Sequence, residues 1–200
     1  MAQFGQAVRV KVAVLLAAGA GSRFAGSTHK LLAQIGGVRV VDRAVGAVLA
    51  AIDSGAPIDA VIVVTGAVPL AFDDPRVRTV HNPAWADGQA TSLQAGIDEA
   101  RDLGAEAVVV GLADQPFVDP SAWTAVASST SPIAVAQYAD DATTRTPALL
   151  RRETWDLLPT KGDFGARHLV SSRPELVEQV PCSGSPADID TPEDLAKWNP

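Results

Sequence analysis

Three glycines, an arginine and a lysine lie close together near the start of the chain, a combination that suits the phosphates of a nucleotide. Gly19, Gly21 and Gly26 follow directly after an apolar run. Arg23 lies between two of these glycines, and Lys30 comes shortly after the last one. Small residues let backbone N–H groups close on phosphate oxygens, and the two cations neutralise negative charge. We therefore predict a phosphate-binding loop here.

The spacing of these residues fits neither of the two most familiar phosphate loops. A Walker loop places its lysine directly after the last glycine, whereas three residues separate Gly26 from Lys30. A dinucleotide-binding loop needs a third glycine where Phe24 stands, and an acidic residue at the end of the second predicted strand. That strand ends in Val64 and Thr65. The loop therefore indicates a different class of nucleotide site.

Residues 16–30 instead match the pattern Leu-Ala-Ala-Gly-x-Gly-x-Arg-x-x-Gly-x-x-x-Lys. The further matching segments are residues 82–88 with Ser92, Leu93 and Gly96; Asp114-Gln115-Pro116; and residues 162–167, followed by residues 188–194. On these four ordered segments, which span residues 10–198, the chain resembles the MobA/MocA-like nucleotidyltransferases and in particular the molybdenum cofactor cytidylyltransferases. One glycine-rich loop alone would be weak evidence, whereas four segments in the same order are specific.

The resemblance implies an enzyme that moves a nucleoside monophosphate from a nucleoside triphosphate to a phosphorylated acceptor and releases pyrophosphate. It implies Mg²⁺ as the cofactor, CTP as the favoured nucleotide and molybdopterin, or the molybdenum cofactor, as the acceptor. A molybdoenzyme or its chaperone is the protein partner that such an acceptor suggests. The residues expected to bind nucleotide are Leu16, Ala17, Ala18, Gly19, Gly21, Ser22, Arg23, Lys30, Gly66, Asn82, Gly88 and Ser92, and those expected to act in catalysis are Arg23, Lys30 and Asp114.

The two cations of the loop have different tasks in such a transfer. The arginine fork of Arg23 can hold two phosphate oxygens at once, and Lys30 supplies a mobile point charge near the α-phosphate or the leaving group. For Lys30, a solvated surface lysine is the alternative. For the glycines, the alternative is a plain tight turn.

Two carboxylates are expected to hold the metal ion. Asp114 follows a buried predicted strand and resembles the metal aspartate of the family, although Ala113 stands where the family usually has glycine. Asp190 is the expected second ligand, and strand-like alternation puts Asp188 and Asp190 on the same side. Mg²⁺ prefers oxygen ligands and usually takes only one or two carboxylates. The alternative for Asp190 is an N-cap for the helix that starts near Thr191.

Base recognition is expected near Gly66, Asn82, Gly88 and Ser92, by resemblance to the family. Ala18 stands where guanylyl-transferring relatives tend to have glycine, which favours CTP over GTP. Amides and hydroxyls can read a pyrimidine edge. Capping of a turn or a helix is an equal alternative for Asn82 and Ser92.

Acceptor binding is assigned to residues 162–167, with Gly162, Asp163, Gly165 and Arg167 as the candidates. Glycines that flank a turn before a helix make an anion-friendly backbone, and Arg167 can hold an acceptor phosphate. A salt bridge on a solvated helix is the alternative for Arg167. The chain departs from the family at residues 145–147, where the family often has His-Pro.

Other functions remain open at this stage. A related transferase with a different acceptor, by guanylyl transfer or onto a phosphosugar, shares the same chemistry, since the fold does not identify the acceptor. An oxidoreductase is a weaker alternative, because the chain carries no nicotinamide fingerprint or redox cysteine pair. A nucleotide-sensing protein would be expected to lose Lys30 or the metal carboxylates, and all of these are present.

Composition excludes several partners. The formal net charge is -7, and no cluster of lysine and arginine is present, which argues against nucleic-acid binding. Residues 1–9 have no apolar core with a cleavage site, and the apolar run at residues 10–18 is too short to span a bilayer. We therefore expect a cytoplasmic protein without a membrane partner.

Strand and helix signals alternate along the chain. Near-continuous apolar runs indicate strands that are buried on both faces of a parallel sheet. We predict an α/β fold, a three-layer α/β/α sandwich with a Rossmann-like, mostly parallel sheet, similar to nucleotide-diphospho-sugar transferases. Residues 1–200 are expected to form a single domain, with a nucleotide-binding half at about residues 8–115 and an acceptor-binding half at about residues 116–198.

Overall fold

The computed structural model of the chain describes residues 10–25, 28–139 and 145–198. Gly26 of the predicted loop and the amino-terminal residues 1–9 lie outside this part, as does most of the polar stretch after Tyr138. The strands of the described chain are β1 (Lys11–Ala17), β2 (Gln34–Ile35), β3 (Val38–Arg39), β4 (Ala60–Thr65), β5 (Val77–His81), β6 (Ala107–Leu112), β7 (Ile133–Tyr138), β8 (Arg145–Arg151) and β9 (Val177–Cys182).

Seven of these strands form one sheet in the order β5-β4-β1-β6-β8-β7-β9, and β2 pairs with β3 in a small separate hairpin. Strand β1 runs parallel to β4 and to β6, and β7 runs parallel to β9. Strand β8 is antiparallel to both of its neighbours, β6 and β7. The predicted mostly parallel sheet is thus confirmed.

Helices cover both faces of the sheet, because the central strands are apolar on both sides. Ala13 and Leu15 of β1 belong to one buried cluster, and Val12 and Val14 belong to a second cluster on the opposite face. The predicted three layers are confirmed. The helices are α1 (Val40–Asp53), α2 (Gln89–Asp102), α3 (Pro120–Ser128), α4 (Arg167–Ser172) and α5 (Pro192–Lys197).

Helix α2 lies unusually close to the sheet at Gly96. A Cβ at this residue would lie 2.5 Å from the Cγ1 of Val14, so a larger residue would push the helix away from β1. The close packing keeps the first turns of α2 above the carboxyl end of β1. Ser92, one turn before Gly96, is thereby placed over the segment that follows this strand.

The carboxyl ends of β1, β4 and β6 meet at one edge of the sheet. The glycine-rich loop follows β1, Gly66 follows β4, and Asp114 follows β6. Ligands of open α/β sheets bind at this edge. The parallel pairing therefore brings together residues that are far apart in the sequence.

Strand β8 was not predicted. The polar residues 138–145 predict a loop or hairpin excursion, and β8 begins at the end of this stretch. Pro147 lies within β8, and proline removes a hydrogen-bond donor from a strand, which hides such a strand from pattern analysis. The β2–β3 hairpin was also missed, since its strands have two residues each. Within the described chain, no helix is both long and apolar enough to cross a membrane.

Candidate active site

The loop after β1 is held in shape by His29. The Nδ1 of His29 accepts a hydrogen bond from the backbone N–H of Leu31, so its Nε2 donates to the Gly19 carbonyl at 3.0 Å. Gly21 has φ +60°, and a Cβ there would lie 3.1 Å from the His29 ring and 3.2 Å from Lys30 Cγ. Glycine at residue 21 is thus favoured by the left-handed conformation, and a Cβ there would make tight contacts with His29 and Lys30.

Four charged side chains meet beside this loop. The ammonium of Lys30 donates to Asp114 Oδ2 at 2.5 Å and to Asp190 Oδ1 at 2.7 Å. The Arg23 guanidinium lies 2.9 Å from Asp190 Oδ2. The Lys30 side chain is only 12% exposed, whereas that of Arg23 is 74% exposed. Lys30 is therefore not a solvated surface lysine.

The two carboxylates stabilise the charged form of Lys30. Burial, the largest single contribution, favours the neutral amine. Attraction and hydrogen bonds from Asp114, and then from Asp190, outweigh it and raise the pKa of the Lys30 ammonium. The cluster therefore favours the charged form of the lysine at its centre.

Asp190 is not the helix cap that the sequence left open. Thr191 is the N-cap of α5: its hydroxyl accepts from the Asp194 N–H at 3.1 Å, and the Asp194 carboxylate accepts from the Thr191 N–H at 3.1 Å. The backbone N–H of Ile189, a fully buried residue, donates to the Asp114 carbonyl at 2.9 Å. This bond fixes the segment before α5 against the segment after β6.

The carboxylates fit a hard divalent cation. Asp114 Oδ1 is buried and has no hydrogen-bond partner within the described chain, so one ligand atom is ready for a cation. The described residues contain no group of three or more acidic, histidine or cysteine side chains that would form a complete metal site. Magnesium commonly takes one or two carboxylates and completes its shell with phosphate oxygens and water. Asp114 and Asp190 match that pattern.

Asp188 lies near this cluster without joining it. Its Oδ1 accepts a hydrogen bond from the Gln115 side-chain amide at 2.8 Å. Desolvation and then repulsion from Asp114 raise the pKa of the Asp188 carboxyl, and the bond from Gln115 acts in the opposite direction.

A cavity of about 580 Å³, here called the nucleotide cavity, opens above the charged cluster. Most of the residues predicted from the sequence to bind nucleotide or metal line it, together with Asp163, which was predicted to bind the acceptor. The predicted residues that line it are Leu16, Ala17, Ala18, Gly19, Gly21, Ser22, Arg23, Lys30, Gly88, Ser92, Asp114, Asp163 and Asp190.

Gly66 and Asn82 do not line the nucleotide cavity. A Cβ at Gly66 would lie 2.6 Å from the Ala18 carbonyl oxygen and 2.7 Å from Trp85, so Gly66 allows a close approach between segments. Asn82 is buried, and its amide group donates to the Thr91 and Ser92 hydroxyls at 2.9 and 3.0 Å. Its Oδ1 accepts from the backbone N–H of Ala84 at 2.9 Å, so Asn82 caps the turn that follows β5, as the capping alternative predicted.

A second cavity, here called the acceptor cavity, has a volume of about 110 Å³ and adjoins the first at Leu16, Gln89 and Leu112. Arg167 lines it and makes no salt bridge within the described chain, so the surface ion pair considered above is absent there. Gly165 packs on Gln89, since a Cβ at residue 165 would lie 2.8 Å from Gln89 Oε1.

Gly162 joins the loop before α4 to the start of α2. Its N–H donates to the Asp87 carbonyl at 3.3 Å, and its carbonyl accepts from the Ala90 N–H at 2.9 Å. A Cβ at Gly88, which has φ +113°, would lie 2.5 Å from the Gly162 backbone. Asp163 is thus directed to the nucleotide cavity, and only Arg167 of the predicted acceptor side chains lines the acceptor cavity.

Comparison with known proteins agrees with this geometry. The model of the family described as the MobA-like NTP transferase domain matches residues 13–178. The chain belongs to this family. Among curated protein sequences, none matches the chain. Membership in this family makes the protein a nucleotidyltransferase enzyme. It favours nucleotidyl transfer over the oxidoreductase and nucleotide-sensing alternatives.

Solved structures of similar proteins have the same fold over nearly the whole chain. Rv0371c from Mycobacterium tuberculosis H37Rv is 27% identical, the match covers 95% of this chain and 97% of that one, and the TM-score is 0.77. The nucleotidyl transferase Mth528 from Methanothermobacter thermautotroptrophicus is 26% identical over 94% of this chain and 95% of that one, with a TM-score of 0.77. A complex of Rv0371c with manganese matches at 26% identity over 94% and 97% of the two chains, with a TM-score of 0.71.

Sequence reasoning missed several residues of this MobA-like transferase. Trp85 and Gln89 line the nucleotide cavity, and Gln89 also lines the acceptor cavity. Gln115 is buried and lines the acceptor cavity, although the Asp-Gln-Pro segment was recognised without a role for its middle residue. A glutamine beside the predicted metal ligand Asp114, at the end of a buried strand, was the signal available. Nothing comparable in the sequence marked Trp85.

Proposed function

We propose that this enzyme transfers CMP from CTP, with Mg²⁺, to a phosphomonoester of the molybdopterin type, which forms a new pyrophosphate bond and releases pyrophosphate. The observation that carries the proposal is the meeting of Arg23, Lys30, Asp114 and Asp190 beside the glycine loop in one nucleotide cavity. Nucleotidyl transfer needs mainly positioning and charge neutralisation, and this cluster supplies both.

The transfer is an in-line substitution at the α-phosphorus. An oxygen of the acceptor phosphate forms a bond to this phosphorus while the bond to the bridging α–β oxygen breaks, and the electron pair leaves with pyrophosphate. Backbone N–H groups of the loop around Gly19 and Gly21 hold the β- and γ-phosphates. Arg23 grips phosphate oxygens through its fork, and Lys30 neutralises charge that grows toward the leaving group.

Binding of substrate requires the ion pairs of the cluster to exchange partners. Lys30 and Arg23 turn from carboxylates to phosphates, which frees Asp114 and Asp190 for the metal. When bound there, Mg²⁺ would screen the triphosphate charge and stabilise departing pyrophosphate. The unpaired Asp114 Oδ1 supports this assignment. The manganese complex of Rv0371c, a similar protein, supports a divalent cation.

The preference for CTP rests on Ala18 and Ser92. Ala18 lines the nucleotide cavity, and its methyl group occupies space that a glycine would leave open, which favours the smaller pyrimidine. The Ser92 hydroxyl accepts a bond from Asn82, so its own proton remains for a carbonyl of the base.

The acceptor is assigned to the adjoining cavity that contains Arg167. A guanidinium without an internal partner suits an anionic group of the acceptor. The two cavities share Leu16 and Leu112, so an acceptor seated in one can present its phosphate to a nucleotide in the other.

The test is pyrophosphate release with each of the four nucleoside triphosphates, Mg²⁺ and candidate acceptors: molybdopterin, a pterin phosphomonoester and a sugar phosphate. We expect turnover with CTP and molybdopterin. A preference for GTP of tenfold or more in kcat/KM, about 1.4 kcal/mol, would overturn the choice of nucleotide. Turnover of CTP with the sugar phosphate but not with molybdopterin would overturn the acceptor.

A further inference from the structure

The acceptor cavity combines apolar walls with polar groups that have spare hydrogen-bonding capacity. Val110, Val135 and Ala148 contribute strand side chains to its walls. The guanidinium of Arg167 and the side-chain amide of Gln89 have no hydrogen-bond or ion-pair partner within the described chain. Binding sites for small molecules typically have this composition, with apolar surface and few convergent polar groups.

Gln115 fixes the position of a third polar group in this cavity, the carboxylate of Asp188. The buried amide of Gln115 donates to the Pro186 carbonyl at 3.0 Å and to Asp188 Oδ1 at 2.8 Å. The Gln115 carbonyl oxygen in turn accepts from the Thr146 hydroxyl. All three polar bonds of the amide are thus made inside the protein, and Gln115 itself has little left for a ligand.

The other oxygen of Asp188 has no such partner. Within the part of the chain that the structure describes, Asp188 Oδ2 makes no hydrogen bond or ion pair. The neighbouring Ile189 is fully buried and its N–H is bonded to the Asp114 carbonyl, so the backbone beside Asp188 is anchored. A carboxylate held in this way offers a fixed acceptor and needs little ordering when a ligand binds.

We propose that Asp188 is a specificity-determining residue that recognises the N–H donor edge of a flat heterocycle in the acceptor. Gln89 and Arg167 complement carbonyl and anionic groups of the same ligand, and the apolar walls take the faces of its ring. The inference rests on the proposed function and narrows its acceptor to a phosphomonoester whose ring carries N–H donors, such as an aminopyrimidinone.

The apolar walls of the acceptor cavity disfavour the binding of a sugar phosphate. Hydroxyl groups turned toward Val110, Val135 or Ala148 would lose their bonds to water without gaining a partner, which is unfavourable. A site built to pair with a donor rejects an analogue that lacks it, because the polar group of the protein is then left unpaired. Asp188 therefore distinguishes a ring that carries an N–H donor from a ring that lacks one.

Two probes that differ only in the 2-amino group test this role. They are 6-hydroxymethylpterin monophosphate and its 2-desamino counterpart, in which hydrogen replaces the amino group. Binding is measured calorimetrically with Mg²⁺ and α,β-methylene-CTP present. We expect the wild-type enzyme to bind the pterin probe at least tenfold more tightly than the 2-desamino probe.

Asp188→Asn should remove this preference. The asparagine carbonyl can still accept from Gln115, so the fold is retained, but the free oxygen becomes an N–H donor. We expect the pterin probe to bind at least tenfold more weakly and the affinity for α,β-methylene-CTP to stay unchanged. Asp156→Asn is the matched control, because this carboxylate is 90% exposed and, among the residues that the structure describes, pairs with Arg101 alone on the surface.

Equal affinity of the wild-type enzyme for both probes would overturn the inference, as would a pterin preference that survives in Asp188→Asn. Either result can be obtained while CTP still binds and turns over, which leaves the proposed nucleotidyl transfer intact. Failure of the proposed function is distinct, since it is seen as no binding of α,β-methylene-CTP and no release of pyrophosphate from CTP. That result would overturn both.

Discussion

The nucleotide cavity and the acceptor cavity differ in whether their charged side chains are paired. In the first, Lys30 and Arg23 are paired with Asp114 and Asp190, so the cations and carboxylates neutralise one another. In the second, Arg167 has no partner within the described residues. On the proposed function, the first cavity breaks internal ion pairs when the nucleotide binds, whereas the second offers groups that are already available.

The position of each cavity in the sheet explains the difference. The nucleotide cavity lies where parallel strands β1 and β6 end, and charges are brought to one point by the loop after β1, the segment after β6 and the segment before α5. The acceptor cavity is lined by β6, by antiparallel β8 and by β7, whose mid-strand side chains supply apolar walls. The charged nucleotide cavity suits the phosphates that are assigned to it, and the apolar walls of the acceptor cavity suit a flat ring system.

The largest expected effect is the loss of turnover in Asp114→Asn. The amide keeps the shape of the side chain but removes the anionic ligand, and Lys30 keeps Asp190 as a partner. We expect kcat/KM to fall by a factor of about 10³ or more, about 4 kcal/mol, with an unchanged melting temperature. Pyrophosphate release and thermal unfolding measure the two quantities. An active Asp114→Asn enzyme would contradict the proposed metal site.

Variants that each remove one cation test whether the two cavities bind different substrates. Lys30→Ala and Arg23→Ala leave phosphate charge unneutralised, so each should lose roughly 2 to 4 kcal/mol of transition-state stabilisation in kcat/KM for CTP. Arg167→Ala is the counterpart in the acceptor cavity and should raise KM for the acceptor while KM for CTP stays the same. Steady-state kinetics with each substrate varied in turn distinguishes these outcomes. The loop assignment is wrong if Lys30→Ala and Arg23→Ala keep wild-type turnover at subsaturating CTP.

The smallest expected effect is that of Thr191→Ala, which distinguishes the role of the helix cap from that of the neighbouring Asp190. Thr191→Ala removes the cap of α5 and should lower the free energy of unfolding by about 1 kcal/mol without changing kcat. Asp190→Asn, one residue away, should do the reverse: stability is kept and turnover is lost. Chemical denaturation and pyrophosphate release are measured on both variants. Equal activity of Asp190→Asn and wild type would leave Asp190 without a role in catalysis.

Much of this fold could be predicted because its elements have strong local signals. Residues 40–52 have the helical period of α1, and the buried apolar run before Gly19 gives β1. Strand β8 has no such signal, since Pro147 interrupts it and its pairing is decided by distant strands. Local pattern determines helices and buried strands, and tertiary contacts determine the rest.

The charged residues of the nucleotide cavity were easier to predict than the groups that support them. Arg23, Lys30 and Asp114 are recognisable by type and spacing. The direction in which a buried amide points cannot be recognised from the sequence. The role of Asn82 was therefore left open, and that of Gln115 was missed. The cap of α5 was also ambiguous, because Asp190 and Thr191 can both cap a helix, although the Thr191-to-Asp194 capping box was available in the sequence.

The contact between Gly88 and Gly162 joins the start of α2 to the loop before α4 through the main chain. A Cβ at Gly88 would lie 2.5 Å from the Gly162 backbone, so the contact leaves no room for a side chain at residue 88. One of these segments leads into α2, whose Gln89 lines both cavities, and the other carries Asp163 and leads to Arg167. A residue larger than glycine at position 88 would therefore act as a wedge that shifts walls of both cavities.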